Sequence, residues 1–538
     1  MQFNGSPHFL KQKSQKSDTN IPFKVQKVFL SGIFVDFCQK HLADSLQFRR
    51  KNIPLQTKVA PESVKYRAKV AQKNVSLHRK VAWKSVTKRQ KRFMYKRKIE
   101  ETLRLWKMKE GHKPLVIKGC RQCGKTSSVV KFAEQNYEHV VYLDFHEHKE
   151  YKAFFAGALD VETLTLNISV GIKNARFVTG KTCLVLDEIQ DCPNARSSLK
   201  FFKLDGRYDV ICTGSLLGVN GYKTKEEEEE EQNASIPVGF EDIVNMYPMD
   251  FEEWLWANGI EQQHIDYLNQ CLEQETPVNE AFHQRLRQLL LRYVVVGGMP
   301  EAVATFLKTN NMNDVLQVQH GIVDTYKSDM LKYARQEDKS RIRECFDSIP
   351  VQLAKDNKKF QYSVIRKGAR SSEYRGSLQW IEDAGIVQRC FNTSITELPL
   401  SGNAIPDSFK VYMTDIGLLV SMLDEGTAWD IMQGKMLGYK GAIFENLAAD
   451  ILAKMGRKLF YFQKEGGLEL DFLIRYKGEC VPLECKARTG NAKSLQTVLK
   501  HPEHYHVYHA LKVGDYNVGR NGPLLTIPFY MAFMLTSY

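Results

Sequence analysis

Gly119-Cys120-Arg121-Gln122-Cys123-Gly124-Lys125-Thr126-Ser127 is the stretch that decides the fold. It reads G-x-x-x-x-G-K-T, closed by a serine. The run before it, Pro114-Leu115-Val116-Ile117, has the continuous apolar character of a buried parallel strand. The run after it, Ser127 to Glu134, carries apolar residues at helical spacing. Strand, glycine loop and helix in that order are the context a phosphate-binding loop requires. Glycines let the backbone curl so that successive N–H groups of residues 119–127 face an anion, and the positive end of the helix dipole adds to that field. Lys125 is then expected to reach the β- and γ-phosphates, and the Thr126 hydroxyl to hold Mg²⁺. The expected ligands are therefore ATP and Mg²⁺.

Working outward, Val140–Leu143 reads as a second strand ending at Asp144. Cys183–Leu186 reads as a third ending in Asp187-Glu188, and Val210–Thr213 as a fourth ending in Gly214-Ser215. A fifth is expected within Ile243–Tyr247. Short apolar strands separated by helical stretches predict an α/β fold with a parallel sheet covered on both faces. Ligands of such sheets sit at the carboxyl ends of the strands. The glycine loop, Asp187-Glu188 and Thr213-Gly214-Ser215 all fall there, which predicts one shared site. Asp187 is the expected partner of Thr126 on the metal, and Glu188 the expected base for an attacking water. Thr213 and Ser215 are expected near the γ-phosphate. Cys120 and Cys123 form a C-x-x-C inside the loop with no second pair beside it, and read as loop residues rather than zinc ligands.

Composition narrows the class. The chain has 538 residues, 43% hydrophobic and 26% charged, as in ordinary globular proteins. No apolar run approaches the roughly 20 residues of a membrane span, and no secretory leader is evident at the N-terminus. Eleven scattered cysteines suit a reducing compartment, so a cytoplasmic location is expected. Of 76 Lys+Arg and 62 Asp+Glu, residues 1–100 hold 24 and 5. That end is strongly basic and the remainder slightly acidic. A basic block with Phe93 and Tyr95 interleaved, as in the run from Lys84 to Lys98, matches a nucleic acid backbone or a solvated helix face equally well. Six consecutive glutamates, Glu226–Glu231, mark an insert near 221–235 in which like charges oppose packing.

A second constellation lies towards the C-terminus. Glu445 sits in GAIFENLAADILAK, read as an amphipathic helix with Phe444, Leu447 and Ile451 as its apolar stripe. Asp471 follows in the strand LELDFLI, and Glu484-Cys485-Lys486 in the strand VPLECKA. The period of two puts Glu484 and Lys486 on one face. This E…D…E-x-K layout looks like the restriction-endonuclease-like fold, in which such carboxylates hold Mg²⁺ and the lysine positions the attacking water. Asp471 and Glu484 are the candidate metal ligands, with Gln496 a weaker member. Acidic residues kept for structure, with Asp471 and Lys486 as a buried ion pair, are the plainer reading.

CRQCGKTSS at 120–128, DEIQ at 187–190, TGSLLG at 213–218 and YPMDFEEWL at 247–255 resemble the bacterial and archaeal ATPases of the AAA superfamily whose C-terminal half is a domain of unknown function. The resemblance continues through YVVVGGMPEAV at 293–303, DSIPVQLAKDNKKFQYS at 347–363 and YMTDIGLL at 412–419, covering roughly residues 96–515. Composition marks residues 1–95 as a basic, poorly folded extension, and with the resemblance the expected domains are a P-loop ATPase domain over 96–255, a helical lid over 256–338, a winged-helix-like domain over 339–425 and a restriction-endonuclease-like domain over 426–538. In that family an arginine usually follows the glycine before the fifth strand; here the pair is Gly239-Phe240. Lys358, Lys359, Arg366, Lys367, Arg370 and Arg375 form a basic cluster around the helix expected over Ser371–Ala384, which reads equally as a DNA contact or a solvated face. The expected activity is ATP hydrolysis coupled to a module acting on DNA; an ATP-gated metal-dependent nuclease and a nucleotide-dependent switch with an inert nuclease-like domain are the alternatives. DNA and a second copy of the chain are the expected partners. Deleting residues 1–90 is expected to weaken DNA binding and flatten its dependence on salt. An unchanged slope in a salt titration would remove the extension from the DNA contact.

Overall fold

The computed structural model describes residues 95–215, 239–333, 338–355, 358–435, 440–464, 467–486 and 492–536. The extension up to residue 94, the glutamate run and residues 216–218 of the TGSLLG stretch lie outside them. The described residues belong to one unit, Thr87–Tyr538.

The apolar runs form the strands their composition predicts: β1 (Leu115–Lys118), β2 (His139–Asp144), β3 (Thr182–Asp187), β4 (Asp209–Gly214) and β5 (Asp242–Asn245). All pair in parallel, in the order β2-β3-β4-β1-β5. Both faces are covered, which is why the runs are continuous rather than alternating. Leu115, Ile117, Val185 and Ile211 pack on one side with Val129 and Phe132 of the helix Lys125–Asn136. Val116, Leu184, Leu186 and Val210 pack on the other with Leu164 and Ile168 of the helix Val161–Gly171. Because β4 lies between β1 and β3, the end of β4 stands between the glycine loop and Asp187.

The helical lid expected over 256–338 includes the helices Gln262–Glu273, Glu280–Val296, Pro300–Thr309 and Met312–Tyr333. Helices Lys339–Ala354 and Ser371–Asp383 follow, then the hairpin of β6 (Val387–Thr393) and β7 (Ala404–Met413). β6 also pairs in parallel with β8 (Leu459–Gln463), so the hairpin continues a larger sheet. That sheet includes β9 (Glu469–Tyr476), β10 (Glu479–Lys486), β11 (Ala510–Gly514), β12 (Gly519–Asn521) and β13 (Leu524–Pro528), in the order β12-β13-β11-β10-β9-β8-β6-β7.

The helix Lys440–Lys454 departs from the expected amphipathic stripe. Every residue from Ala442 to Ala453 is buried. One side of it packs on the large sheet and the other meets the helix Glu280–Val296, where Tyr293 OH lies 3.2 Å from Asp450 Oδ2. A helix covered on both sides must satisfy its polar residues internally, and Glu445, Asn446 and Asp450 all find partners.

The nucleotide-type sheet and the C-terminal half meet backbone to backbone. Met249 N donates to Gly298 O at 2.7 Å, and Gly298 N donates to Asp415 Oδ2 at 2.7 Å. A Cβ at Gly298 would lie 1.9 Å from Met249 O, a backbone atom with no rotamer to yield. Met249 O also accepts from Tyr293 OH at 3.0 Å and Lys454 Nζ at 3.2 Å. Gly298→Ala is therefore expected to destabilise the fold by at least about 2 kcal/mol, seen as a lowered melting temperature. A variant that melts with the wild type would show that the two segments separate without cost.

Candidate functional site

The glycine loop follows β1 and opens the helix Lys125–Asn136 at Gly124, whose φ of +98° suits only glycine among common residues. Gly119 allows the chain to pass Met246 at the end of β5; a Cβ there would lie 2.0 Å from Met246 O. Lys125 is buried, and its Nζ donates to Gly119 O at 3.0 Å, Cys120 O at 2.9 Å and Ser215 Oγ at 3.3 Å. Arg97 braces the loop from outside, donating to Cys123 O at 2.9 Å and Tyr247 O at 2.8 Å while paired with Glu253 at 3.0 Å. Arg121 pairs with Asp329 at 3.0 Å, and Tyr326 OH donates to Arg121 O at 3.0 Å. Both partners lie on the helix Met312–Tyr333. Cys120 and Cys123 are buried free thiols.

The predicted partners converge on this loop. Thr126 Oγ1 donates to Asp187 at 2.9 Å. Thr213 Oγ1 also bonds Asp187, and Tyr142 OH donates to it at 2.7 Å. Burial raises the Asp187 carboxyl against these hydrogen bonds, with the Glu188 charge adding to the rise. A buried, hydroxyl-lined carboxylate beside Thr126 is a donor set that suits Mg²⁺. Glu188 takes the left-handed conformation, φ +51°, uncommon outside glycine. Its carboxylate accepts from Ser215 Oγ at 2.8 Å and Gln190 Nε2 at 2.6 Å. Burial alone would raise Glu188; the Lys125 charge and the bonds from Gln190 and Ser215 outweigh it and hold the carboxyl below its usual value. Thr213 and Ser215 thus bear on the two carboxylates. Lys125, Thr126, Ser127 and Glu188 line a cavity of about 390 Å³, whose far wall includes Met249, Pro300 and Glu301.

The second constellation also assembles. Glu445, Glu469 and Asp471 each place a carboxylate oxygen within 4.8 Å of the others, the one such acidic group among the described residues. Glu484 and Lys486 pair with each other at 2.6 Å, and Asp471 Oδ2 accepts from Cys485 N at 2.8 Å, so the expected Asp471–Lys486 ion pair is not formed. Burial, with the charges of Glu445 and Glu484, pushes Asp471 up to about 8. Gln496 is exposed on the helix Lys493–Lys500.

Sequence reasoning missed several participants. Tyr142, in a strand read only for its apolar content, bonds Asp187. Arg97 and Lys98, at the end of the basic run that read as facing nucleic acid or solvent, bind Glu253, Asp250 and Glu252 instead. Lys358, a member of the basic cluster that read as facing DNA or solvent, is bound to Glu445. Lys410 and Glu469 gave no signal beyond alternation along their strands.

Three family models match stretches of the chain. Residues 111–255 match the AAA domain family, residues 287–428 a domain of unknown function (DUF8612), and residues 440–530 a domain of unknown function (DUF4143). The chain carries an AAA-type P-loop domain. No curated protein matches it. Among similar solved structures, the Walker-type ATPase of Pyrococcus abyssi is 13% identical, aligned over 61% of this chain and 96% of that one, with a TM-score of 0.37. The Aeropyrum pernix ORC1 protein in complex with DNA is 11% identical over 62% and 90%, with a TM-score of 0.24. Among the described residues, no helix is long and apolar enough to cross a membrane.

Tyr142→Phe removes a hydrogen bond to a charged group, worth about 1.5–3 kcal/mol. It is expected to weaken nucleotide binding roughly tenfold or more in the presence of Mg²⁺ and to leave Mg²⁺-free binding unchanged. Equal loss in both titrations would show that the hydroxyl does not serve the metal ligand.

Proposed function

We propose that the chain binds ATP with Mg²⁺ at the loop 119–127, hydrolyses it, and uses the cycle to move its C-terminal modules on DNA. The observation that supports this is the meeting of Lys125 and Thr126, which open the helix after the glycine loop, with Asp187 and Glu188 at the end of β3, beside a cavity lined by Lys125, Thr126 and Glu188. Backbone N–H groups of the loop and Lys125 would carry the triphosphate. Thr126 and Asp187 would hold Mg²⁺, which supplies charge neutralisation at the phosphates. Glu188, kept ionised beside Lys125, would take a proton from water as its oxygen attacks the γ-phosphorus; the bond to the β-phosphate oxygen breaks, leaving ADP and phosphate. Ser215 and Gln190 position that carboxylate, and Thr213 and Tyr142 position Asp187.

Transmission is supported by the cavity's far wall. Met249 and Pro300 flank the junction in which Met249 meets Gly298 and Lys454. The proposed modules are the ATPase domain over 96–255, the lid over 256–338, a winged-helix-like segment over 339–425 and a restriction-endonuclease-like segment over 426–538. For DNA, the exposed Arg366, Lys367 and Arg370, at the entry to the helix Ser371–Asp383, are the proposed contacts. Arg375 is also exposed there but is paired with Asp407. A second copy of the chain is the proposed partner; it too carries Phe240, so the arginine that the family resemblance implies at that position is not supplied from there.

Glu188→Gln is expected to lower the hydrolysis rate by about 10²–10⁴-fold while ATP affinity stays within a few-fold of wild type. Turnover near the wild-type rate would refute Glu188 as the base.

A further inference from the structure

The acidic centre of the C-terminal sheet carries a second, independent reading. Restriction-endonuclease-like folds hold Mg²⁺ with such carboxylates, and this donor set does not fit that role. We propose that the resident cation here is the ammonium group of Lys410, so that the centre is closed by internal ion pairs rather than by a divalent metal.

Lys410 Nζ lies 2.9 Å from Glu445 Oε1 and 2.6 Å from Glu469 Oε1, two of the three carboxylates that could have shared a metal. Other oxygens of the cluster are engaged as well, Glu469 Oε2 by Gln463 Nε2 at 3.3 Å. Tyr412 OH donates to Glu445 Oε1 at 2.5 Å, and Lys358 bonds Glu445 Oε2. Asp471 Oδ2 takes the Cys485 N–H, and Glu484 Oε1 takes Lys486. Glu484 Oε2 is buried without a partner, but Glu484 lies outside the metal-sized group. Mg²⁺ demands near-ideal octahedral oxygens at about 2.0–2.1 Å, and the ammonium already bridges Glu445 and Glu469.

The lysine is held in place. Lys410 and Tyr412 share one face of β7 by the strand period. Asn446 latches β7 to the helix Lys440–Lys454, accepting from Met413 N at 2.8 Å and donating to Met413 O at 3.1 Å. The Lys410 side chain is 1% exposed. A metal could displace it only by parting β7 from the helix. Three ammonium groups, Lys358, Lys410 and Lys486, already pair with three of the four carboxylates, Glu445, Glu469 and Glu484. On this reading the domain does not cleave nucleic acid, and the Mg²⁺ requirement of the chain is confined to the nucleotide site. The proposal is independent of ATP hydrolysis, so failure of the Glu188→Gln prediction leaves it standing.

The test is Mn²⁺ binding to the nucleotide-free full chain, followed by the electron paramagnetic resonance of free Mn²⁺. Wild type and Asp471→Asn are expected to be indistinguishable. Lys410→Met is expected to gain a Mn²⁺ site and a Mn²⁺-dependent rise in melting temperature, both lost when Asp471→Asn is added. Saturable wild-type binding that Asp471→Asn abolishes would overturn the proposal. So would a folded Lys410→Met with no gained affinity. Should Lys410→Met fail to fold, amine acylation read by mass spectrometry decides on the wild type. Lys410 is expected to stay unmodified with or without millimolar Mn²⁺ while exposed Lys367 reacts; acylation of Lys410 on adding Mn²⁺ would overturn the proposal.

Discussion

Backbone packed on backbone at Met249 and Gly298 is the constraint on which the rest of the architecture depends. The approach admits no side chain at Gly298, and Gly417 likewise lies so close to Gly297 that a Cβ would stand 2.5 Å from its nitrogen. Around this contact the structure buries Asp415, Asp450 and Lys454. Burial pushes Asp450 up to about 7 despite the neighbouring lysine. Buried pairs of this kind rarely add much net stability. Their directional bonds to Gly298 N, Met249 O and Tyr293 OH instead define one geometry for the junction.

The nucleotide site shows the same economy of placement. Inserting β4 between β1 and β3 brings the end of one strand against both the loop and the acidic pair. Ser215 consequently touches Lys125 and Glu188 together, and Thr213 touches Asp187. Arg97 and the pair Arg121–Asp329 tie the loop to segments on either side of the sheet in sequence. The loop is therefore not a free ribbon; Cys123 is tied through Arg97 to Glu253 on the helix Phe251–Ala257, and Arg121 to the helix Met312–Tyr333.

Much of this was legible because it is local. The phosphate loop declares itself in nine consecutive residues, and the parallel strands in short apolar runs ending in polar groups. The acidic centre was partly legible, since E-x-K alternation fixes two side chains on one face. Its cations were not. Lys410 lies in a hairpin far from Glu445 in sequence, and Lys358 sat among basic residues that read as a surface cluster. The burial of the helix Lys440–Lys454 was hidden for a related reason. Periodicity reports how many apolar faces a helix has, but Ala442, Ala448, Ala449 and Ala453 are small enough to be read as either surface or core. What covers the second face is decided by Tyr293 and Met249, residues some 150–200 positions away. Arg97 and Lys98 illustrate the converse error: charge composition cannot distinguish a lysine facing solvent from one facing Asp250.

The helix Lys440–Lys454 links the two halves of the argument. Asp450 and Lys454 engage Met249 and Tyr293 beside the nucleotide cavity, whereas Glu445 engages Lys410 and Lys358. Five residues separate Glu445 from Asp450, about 7.5 Å along a helix axis. Close-packed interiors shift between discrete arrangements rather than bending continuously. A displacement of Met249 would therefore move this helix as a rod and carry Glu445 with it. An ammonium–carboxylate cluster suits the far end of such a rod. Breaking one buried partner away leaves uncompensated charge, so β7 and the segment at Lys358 must follow the helix or be released from it together. A metal ion could exchange its ligands for water one at a time; lysines fixed on β7 and at residue 358 cannot.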